Sequence, residues 1–317
     1  MTMTQGRIDG LDKPVSRLVL GCGWFRPDDE RVGPLLEAFL AAGGTALDTA
    51  YAYGGGASER TLGQWLKTNG RRDDVVLITK GAHHAKDWSP RVTPEVINAE
   101  LTESLERLQT DHIDLYLLHR DDPGVPVGPI LECLNEHVRA GRIRTFGGSN
   151  WTPRRFDEAA AYAREHGLQT FAASSPHFAL AVAHDPAHMG HFIVSDDPEA
   201  LAWYRTRQLP LLAWTSQARG FFSAQLDPAA PEVHKRYARF DHPDNWERRR
   251  RCLDLAERRG VPSTQVALAW LLEQAPDVYP IIGPSRIPHL QDAVAALNVA
   301  LSPGERAWLN LEIGRQP

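Results

Sequence analysis

The sequence predicts an α/β fold in which eight strands close into a (β/α)8 barrel of the TIM-barrel class. Short apolar runs of strand type alternate with longer amphipathic stretches along nearly all 317 residues. Eight strand-then-helix units in one chain favour closure, because strands that are apolar throughout need cover on both faces. Hydrophobic residues make up 42% of the chain, which is ample for a core, so we expect one domain over residues 1–317.

The eight repeating units can be assigned in order from the pattern. We expect strands at 17–22, 46–50, 75–80, 113–119, 143–149, 170–175, 209–214 and 278–283. We expect helices between them at 32–42, 58–67, 94–108, 128–140, 153–166, 244–259 and 286–297. Several of these helices begin with a capping residue followed by proline, as at Thr93-Pro94 and Thr152-Pro153.

Additional segments decorate the barrel at both termini and after two strands. Residues 8–14 predict a short N-terminal hairpin that plugs the barrel bottom, and 263–272 and 303–311 predict extra C-terminal helices. Two long irregular segments, 176–197 and 215–243, follow the sixth and seventh strands. Loops of this length in a compact domain usually serve function, so both are expected to border a site.

An open doubly wound sheet is the competing fold. Its dinucleotide-binding signature is G-x-G-x-x-G directly after the first strand. Gly21 and Gly23 begin this pattern, but Arg26 occupies the position of the last glycine. The most diagnostic residue of the competing fold is therefore missing, and the barrel is favoured.

Composition and charge exclude several classes of partner. The net charge of −5 is mild, and the arginines at 248–251 stand among acids in a helical stretch, which predicts a solvated helix face and not a nucleic-acid patch. The three cysteines lack paired or metal-type spacing and predict reduced thiols. No apolar run approaches the ~20 residues that span a bilayer, and no signal peptide is visible. We expect a soluble, cytoplasmic protein without nucleic-acid or membrane partners.

Polar residues stand where consecutive strands end. They are Asp48, Tyr53, Lys80, His119, Ser149 and Asn150. In a barrel of this kind, the carboxyl ends of the strands meet at one rim and supply the catalytic groups. We therefore expect these side chains to lie close together.

The first four of these residues can carry out proton transfer to a carbonyl oxygen. The ammonium of Lys80 is expected to lower the pKa of Tyr53 from its ordinary value near ~10, and Asp48 is expected to keep Lys80 charged. His119 can donate a hydrogen bond to an oxygen on which negative charge develops. Taken singly, each residue also has a structural interpretation as a buried ion pair, a rim histidine or a loop tyrosine. Four such coincidences at consecutive strand ends favour a site.

Five ordered motifs give the sequence a close resemblance to the aldo-keto reductase superfamily. They are LDTAYAYG (47–54), ITKG (78–81), IDLYLLHRDDP (113–123), GGSNW (147–151) and IIGPSR (281–286). The resemblance covers essentially the whole chain and implies a barrel reductase that binds a nicotinamide cofactor without a Rossmann domain. By motif position, Tyr53 resembles the general acid of the family, and Asp48, Lys80 and His119 complete its tetrad.

The resemblance also implies residues that bind NADP(H). Ser149 and Asn150 resemble those that hold the nicotinamide carboxamide, Trp214 takes the place of an aromatic ring that stacks on the nicotinamide, and Ser285 and Arg286 resemble contacts to the 2′-phosphate. The other predicted cofactor contacts are Ser175, Thr215, Ser216, Gln217, Arg219, Gly220, Gly283, His289 and Asp292.

Three departures from the family pattern bear on the cofactor. Many members have Gln-x-x-Tyr after the sixth strand, where this chain reads S-P-H-F at 175–178, so the expected hold on the carboxamide is reduced to one hydroxyl. Asp292-Ala293 replaces the usual Glu-Asn pair, and His289 stands where Gln or Arg is common. The adenosine pocket is thus matched in part, which leaves NAD open beside NADP.

Residues at the rim indicate the substrate class. Trp24, on the loop after the first strand, and His83 and Arg120, directly after the lysine and histidine motifs, are expected to contact substrate. This polar rim favours an aldehyde or ketone with many hydroxyls, such as a sugar. His184, His188 and His191 in the loop after strand six could bind a metal ion, but the intervening Pro186 and Gly190 disfavour the helix that would align them, and we expect no metal.

Two other functions stay open at this point. An NAD(P)-dependent dehydrogenase that oxidises an alcohol or sugar would use the same residues in the reverse direction. The family also includes potassium-channel beta subunits that sense the cofactor for a partner protein, so a regulatory role is the alternative outside catalysis. The sequence gives no indication of the oligomeric state.

Overall fold

The computed structural model describes residues 3–185, 189–230, 233, 235, 237–274 and 277–315. The strands are β1 (Gln5–Gly6), β2 (Val15–Ser16), β3 (Val19–Gly21), β4 (Ala46–Asp48), β5 (Val76–Gly81), β6 (Ile113–Leu118), β7 (Ile143–Ser149), β8 (Ala173–Ser175), β9 (Leu211–Ala213) and β10 (Val278–Ile282). Strands β3 to β10 pair in parallel in chain order, and β10 closes onto β3. The predicted (β/α)8 barrel is confirmed.

Helices follow the barrel strands and cover the outer face. The bounded helices are α1 (Val32–Ala41), α2 (Ala57–Asn69), α3 (Pro94–Leu108), α4 (Val127–Arg139), α5 (Pro153–His166), α6 (Pro198–Arg207), α7 (Pro243–Arg259), α8 (Ser263–Leu272), α9 (Ile287–Ala295) and α10 (Pro303–Leu309). Thr93 and Thr152 cap α3 and α5 by accepting backbone N–H groups, each ahead of a proline at the first helical position. The extra C-terminal helices expected from the sequence are α8 and α10.

The N-terminal hairpin closes the amino end of the barrel. Its strands β1 and β2 pair antiparallel and flank the predicted segment 8–14, which forms the connection between them. Ile8 from this connection is buried among interior barrel residues such as Val76 and Leu115. Lys13 donates to the carbonyl oxygen of Val75 at 2.9 Å, at the start of β5. The accessible end of the barrel is therefore the carboxyl end of the strands.

The expectations for cysteine chemistry and membrane spans can be compared with the structure. Cys22, Cys133 and Cys252 are buried free thiols, as predicted. Burial raises the pKa of the Cys22 thiol well above its ordinary value, which disfavours the reactive thiolate. Within the described ranges, no helix has both the length and the apolarity needed to cross a bilayer.

The prediction of a solvated arginine face at 248–251 is wrong for two of the four residues. Arg249 and Arg251 are buried, because α7 packs these side chains against neighbouring segments. Arg249 donates to the carbonyl oxygens of Phe221, Ser223 and Leu226 at 2.8–3.0 Å. Arg251 donates to the carbonyl oxygens of Trp308 and Ile313 at 2.6 and 2.8 Å. Both arginines hold loop and C-terminal backbone in place.

Replacing Arg251 by Met should lower the free energy of unfolding by about 1–3 kcal/mol, because it removes charge-assisted hydrogen bonds of a buried guanidinium to the carbonyl oxygens of Trp308 and Ile313. Arg250 is the matched control, since its side chain is mostly exposed and pairs with Glu247 and Asp254 on the surface. Arg250→Met should change the free energy of unfolding by no more than about 0.5 kcal/mol. Urea denaturation of both variants measures the difference, and equal losses would contradict the assigned role of Arg251.

Candidate active site

A cavity of about 1570 Å³ opens at the carboxyl end of the barrel. It is lined by every residue proposed from the sequence for the site except Ser175. The cavity runs from the strand ends of β4, β5 and β6 to the loops that follow β9 and β10. A cavity of this volume has room for more than one small molecule.

A buried ion pair stands at the end of β4 and β5. Asp48 is the last residue of β4, and parallel pairing places it opposite Gly21 on β3 and Ile78 on β5. The Nζ of Lys80 donates to Asp48 Oδ1 at 2.5 Å and to the carbonyl oxygen of Thr49 at 3.0 Å. Both charged side chains are almost fully buried. Register alone therefore brings the two charges together.

Tyr53 reaches this pair through a sharp turn. The 3₁₀ segment Tyr53–Gly56 contains three glycines with φ of 59°, 61° and 84°, a left-handed conformation that side chains disfavour. The hydroxyl of Tyr53 lies 3.5 Å from Lys80 Nζ, at the long limit of a hydrogen bond. Tyr51 instead donates to Glu103 on α3 and does not line the cavity. The turn thus separates the two tyrosines.

The balance of charges keeps the proton on Tyr53. Burial raises the pKa of Tyr53 above its ordinary value, and Lys80 acts in the opposite direction without prevailing. The predicted influence of Lys80 on Tyr53 is present, but the expected net lowering of the pKa is wrong for this structure, because burial dominates. Burial also disfavours charge on Lys80, but Asp48 and Tyr53 outweigh it and the pKa of Lys80 is raised. A protonated phenol faces a charged ammonium.

His119 completes the cluster as a neutral imidazole. Its ring meets the Tyr53 ring edge-on with centroids 5.6 Å apart, and the His83 ring lies 4.7 Å away on another side. Burial and the nearby Lys80 charge lower the pKa of His119 well below its ordinary value. Its Nδ1 is buried without a hydrogen-bond partner among the described residues. A neutral imidazole can donate one hydrogen bond into the cavity without carrying charge.

The next group of predicted residues lies at the ends of β7 and β9. Ser149 donates to the carbonyl oxygen of Ser175 at 2.8 Å, and Asn150 donates to the carbonyl oxygen of His119 at 3.3 Å. Trp214 follows β9, is half-buried, and its indole Nε1 has no partner among the described residues. An aromatic face beside amide and hydroxyl groups suits a planar ring that bears an amide.

The loop after β9 adopts an unusual backbone. Thr215, Ala218 and Arg219 all have left-handed φ, at 55°, 45° and 55°, and Gly220 follows at 85°. Non-glycine residues rarely adopt this conformation, and such strain clusters where backbone serves a ligand. Ser216 fastens the loop to β10 by donating to the carbonyl oxygen of Ile281 at 2.7 Å. Arg219 adds a cation that suits a phosphate group.

Two further basic side chains lie close together at the far end of the cavity. Arg286 Nη2 lies 3.0 Å from His289 Nε2 on the exposed rim, next to Ser285 and Gly283. Asp292 is held by Thr264 and Gln265, whose side chains donate to its two carboxylate oxygens at 2.6 and 2.8 Å. These last two donors tie α8 to α9 and were not found from the sequence.

Ser175 is the predicted residue that the structure does not bring to the cavity. Its side chain is fully buried, and its hydroxyl donates to the carbonyl oxygen of Leu212 on β9 at 2.9 Å. The neighbouring His177 is also buried, and its ring meets Trp214 edge-on at 4.7 Å. In this structure, the serine hydroxyl binds the backbone of the neighbouring strand β9 and is not available to a ligand in the cavity.

Sequence reasoning missed a network of charged and histidine side chains around Arg120. His191 Nδ1 lies 2.7 Å from Asp185, which also forms an ion pair with Arg239, and His191 Nε2 lies 3.0 Å from Arg120. The interpretation as a metal triplet cannot be followed fully, since His188 lies outside the described residues. Among the described residues, no group of three potential metal ligands is found. The sequence indicated this region only through the length of the loops 176–197 and 215–243. Residues of both loops meet in this network.

The buried environment of His119 makes a testable prediction. Because burial and Lys80 oppose its protonation, the imidazole should remain neutral at pH values near 6, below the ordinary midpoint of about 6.5. NMR of ring-labelled histidine, assigned with a His119→Gln variant, follows the titration directly. A titration midpoint for His119 at or above about 6.5 would contradict the assigned environment.

Sequence comparisons place this chain among known enzymes. The Aldo/keto reductase family model matches residues 18–309. Norsolorinic acid reductase stcV of Emericella nidulans is 30% identical over 285 residues, which cover 86% of this chain and 69% of that protein. Aldo-keto reductase str7 of Strobilurus tenacellus is 30% identical over 298 residues, which cover 90% of this chain and 81% of that protein.

Structure comparison leads to the same family. The thermostable aldo-keto reductase Tm1743 in complex with the inhibitor epalrestat matches with a TM-score of 0.74 and 25% identity, over 98% of this chain and 99% of that one. An aldo-keto reductase from Klebsiella pneumoniae in complex with NADPH matches with a TM-score of 0.73 and 26% identity, over 98% and 95% of the two chains. The chain belongs to the aldo-keto reductase family of oxidoreductases, which act on carbonyl groups and use NAD(P)H.

Proposed function

We propose that this enzyme reduces an aldehyde or ketone to an alcohol with NADPH, and that Tyr53 is the general acid. The observation that carries the proposal is the cluster at the ends of β4, β5 and β6. There a protonated phenol faces a charged Lys80, and Asp48 and a neutral His119 complete the site. The substrate carbonyl binds between Tyr53 and His119, where both can reach its oxygen.

Each residue of the tetrad has a separate task. Tyr53 donates its proton to the carbonyl oxygen as charge develops there. NADPH, when bound, would supply the hydride that the carbonyl carbon receives. Lys80 stabilises the phenolate that remains, because its ammonium is held next to Tyr53 by Asp48 and by the Thr49 carbonyl oxygen. Neutral His119 donates a hydrogen bond to the same oxygen and orients the carbonyl.

The lining of the cavity fits NADP(H). The indole face of Trp214 with Ser149 and Asn150 suits the nicotinamide end, and the left-handed loop with Arg219 suits the pyrophosphate. Arg286 and His289 place two basic side chains side by side on the rim, and Ser285 adds a hydroxyl. Such a set favours a 2′-phosphate, which NADP has and NAD lacks. The reaction is reversible, so the same residues serve alcohol oxidation.

The other wall of the cavity receives the substrate. Trp24 and His83 line it next to the tetrad, and Arg120 contributes a buried guanidinium. An aromatic wall with a few polar groups is typical of sites for small organic molecules. The polar character of this wall supports a substrate with several oxygen atoms.

Replacing Tyr53 by Phe should lower kcat for carbonyl reduction by roughly 10²- to 10⁴-fold, because it removes the hydroxyl that is proposed to donate the proton. NADPH binding, measured by the change in cofactor fluorescence, should stay near the wild-type value. Tyr51→Phe is the matched control, since the Tyr51 hydroxyl contacts Glu103 outside the cavity, and it should retain turnover. Full activity of Tyr53→Phe would refute the assignment of the general acid.

Replacing Arg286 by Ala should weaken NADPH binding by about tenfold, since it removes a charge-assisted contact to phosphate. NADH lacks that phosphate, so its dissociation constant should change by less than about twofold. Fluorescence titration with each cofactor measures both constants. Arg139→Ala, which removes an exposed arginine outside the cavity, controls for net charge. Equal losses for the two cofactors would remove the phosphate contact from the proposal.

A further inference from the structure

The substrate side of the cavity contains a buried cation that no described acid neutralises. Arg120 lines the cavity and is 6% exposed. Its Nη1 donates to the carbonyl oxygen of His119 at 3.1 Å and its Nη2 to His191 Nε2 at 3.0 Å. Its Nε is buried without a partner among the described residues. Arg249 is also buried without an acid, but three carbonyl oxygens hold its Nε and Nη2.

The acids near Arg120 are committed to other groups. Asp121, the next residue in the chain, forms an ion pair with Arg155 at 2.9 Å. Asp122 accepts the backbone N–H of Gly124 at 2.9 Å within its own loop. Asp185 pairs with Arg239 and His191. The charge of Arg120 therefore has no counterion within the described part of the site.

His191 orients the guanidinium without neutralising it. A guanidinium can only donate hydrogen bonds, so His191 Nε2 must accept from Arg120, and His191 Nδ1 must donate its proton to Asp185. Burial lowers the pKa of His191, against the influence of Asp185, which agrees with a neutral ring. Burial lowers the pKa of Arg120 to about 10, which still leaves it charged at neutral pH. Asp185 thus pairs directly with Arg239, whereas Arg120 is linked to it only through the neutral ring of His191.

The position of Arg120 indicates that it would bind the substrate and not the cofactor. It directly follows His119 in the chain, donates to the His119 carbonyl oxygen at 3.1 Å and lines the same cavity as Tyr53 and His83, which places it beside the reacting groups. The basic groups suited to cofactor phosphates follow β9 and β10, whereas Arg120 follows β6, three and four strands away around the barrel. An anion bound at Arg120 would accordingly belong to the substrate.

We propose that Arg120 binds a carboxylate of the substrate, so that the preferred substrates are aldehydes or ketones that also carry a carboxylate. This inference rests on the proposed reductase function and specifies its substrate class. The free Nε with an adjacent Nη forms a fork that matches the two oxygens of a carboxylate, and such contacts strengthen where water is excluded. The substrate carboxylate supplies the missing counterion of Arg120. It anchors the substrate while Tyr53 and His119 bind the carbonyl oxygen.

The test compares each acid with its neutral methyl ester under NADPH. For 4-oxobutanoate and for 4-carboxybenzaldehyde, kcat/KM of the wild type should exceed that of the ester by at least about tenfold. Arg120→Met should reduce this acid-to-ester ratio by about 10- to 100-fold, whereas Arg144→Met, which removes an exposed arginine elsewhere, should leave the ratio unchanged. Equal rates for acids and esters in the wild type would overturn the carboxylate site and leave the reductase function intact.

A binding measurement separates this proposal from the proposed function. Benzoate and benzamide have nearly the same shape, and tryptophan fluorescence follows their binding near Trp24 and Trp214. Benzoate should bind wild-type enzyme at least about tenfold more tightly than benzamide, and Arg120→Met should remove the difference. If no carbonyl compound is reduced at all, the reductase function fails, and this comparison still decides on the carboxylate site. Equal binding of the two ligands would overturn it.

Discussion

The ion pair between Lys80 and Asp48 is the interaction on which the rest of the site depends. An unpaired buried ammonium costs several kcal/mol, so Lys80 can stay charged in the barrel mouth only because Asp48 lies against it. Parallel pairing of β4 with β5 sets this contact. The charge that remains next to Tyr53 is thus a direct consequence of barrel register. The strand register that closes the barrel therefore also fixes the geometry of the site. A shift of one residue in either strand would separate Lys80 from Asp48.

Charge is distributed unevenly along the cavity. Lys80 is compensated by Asp48, and the histidines around Tyr53 are neutral, because burial disfavours their protonation. Among the described residues, Arg120 retains an uncompensated charge near the reacting groups, and Arg219 and Arg286 carry charge at the distant loops. Two anionic groups can therefore bind to separate sides of the barrel without competing for the same cation. Under the proposed function, the positions of these cations distinguish the cofactor from the substrate.

The eight strands and the polar cluster at their ends were predictable from sequence, because alternation of apolar runs with helices and the geometry of strand ends are local properties. The predictions that were wrong concern features that depend on contacts between distant segments. The burial of Arg249 and Arg251 follows from the docking of α7 against a loop and the C-terminal segment, and the inward turn of the Ser175 hydroxyl follows from β9 beside it. The sign of the pKa shift at Tyr53 depends on burial, which motif spacing does not reveal.

Helix α7 links the stability of the fold to the geometry of the cavity. Arg249 holds the carbonyl oxygens of Ser223 and Leu226, and both of these residues line the cavity on the side suited to the cofactor. Two residues later, Arg251 holds the C-terminal segment against the same helix. The loop after β9 has strained backbone that its own sequence disfavours, so it needs support from outside. Arg249 of α7 supplies such support, because it holds the carbonyl oxygens of Phe221, Ser223 and Leu226 directly after the strained residues.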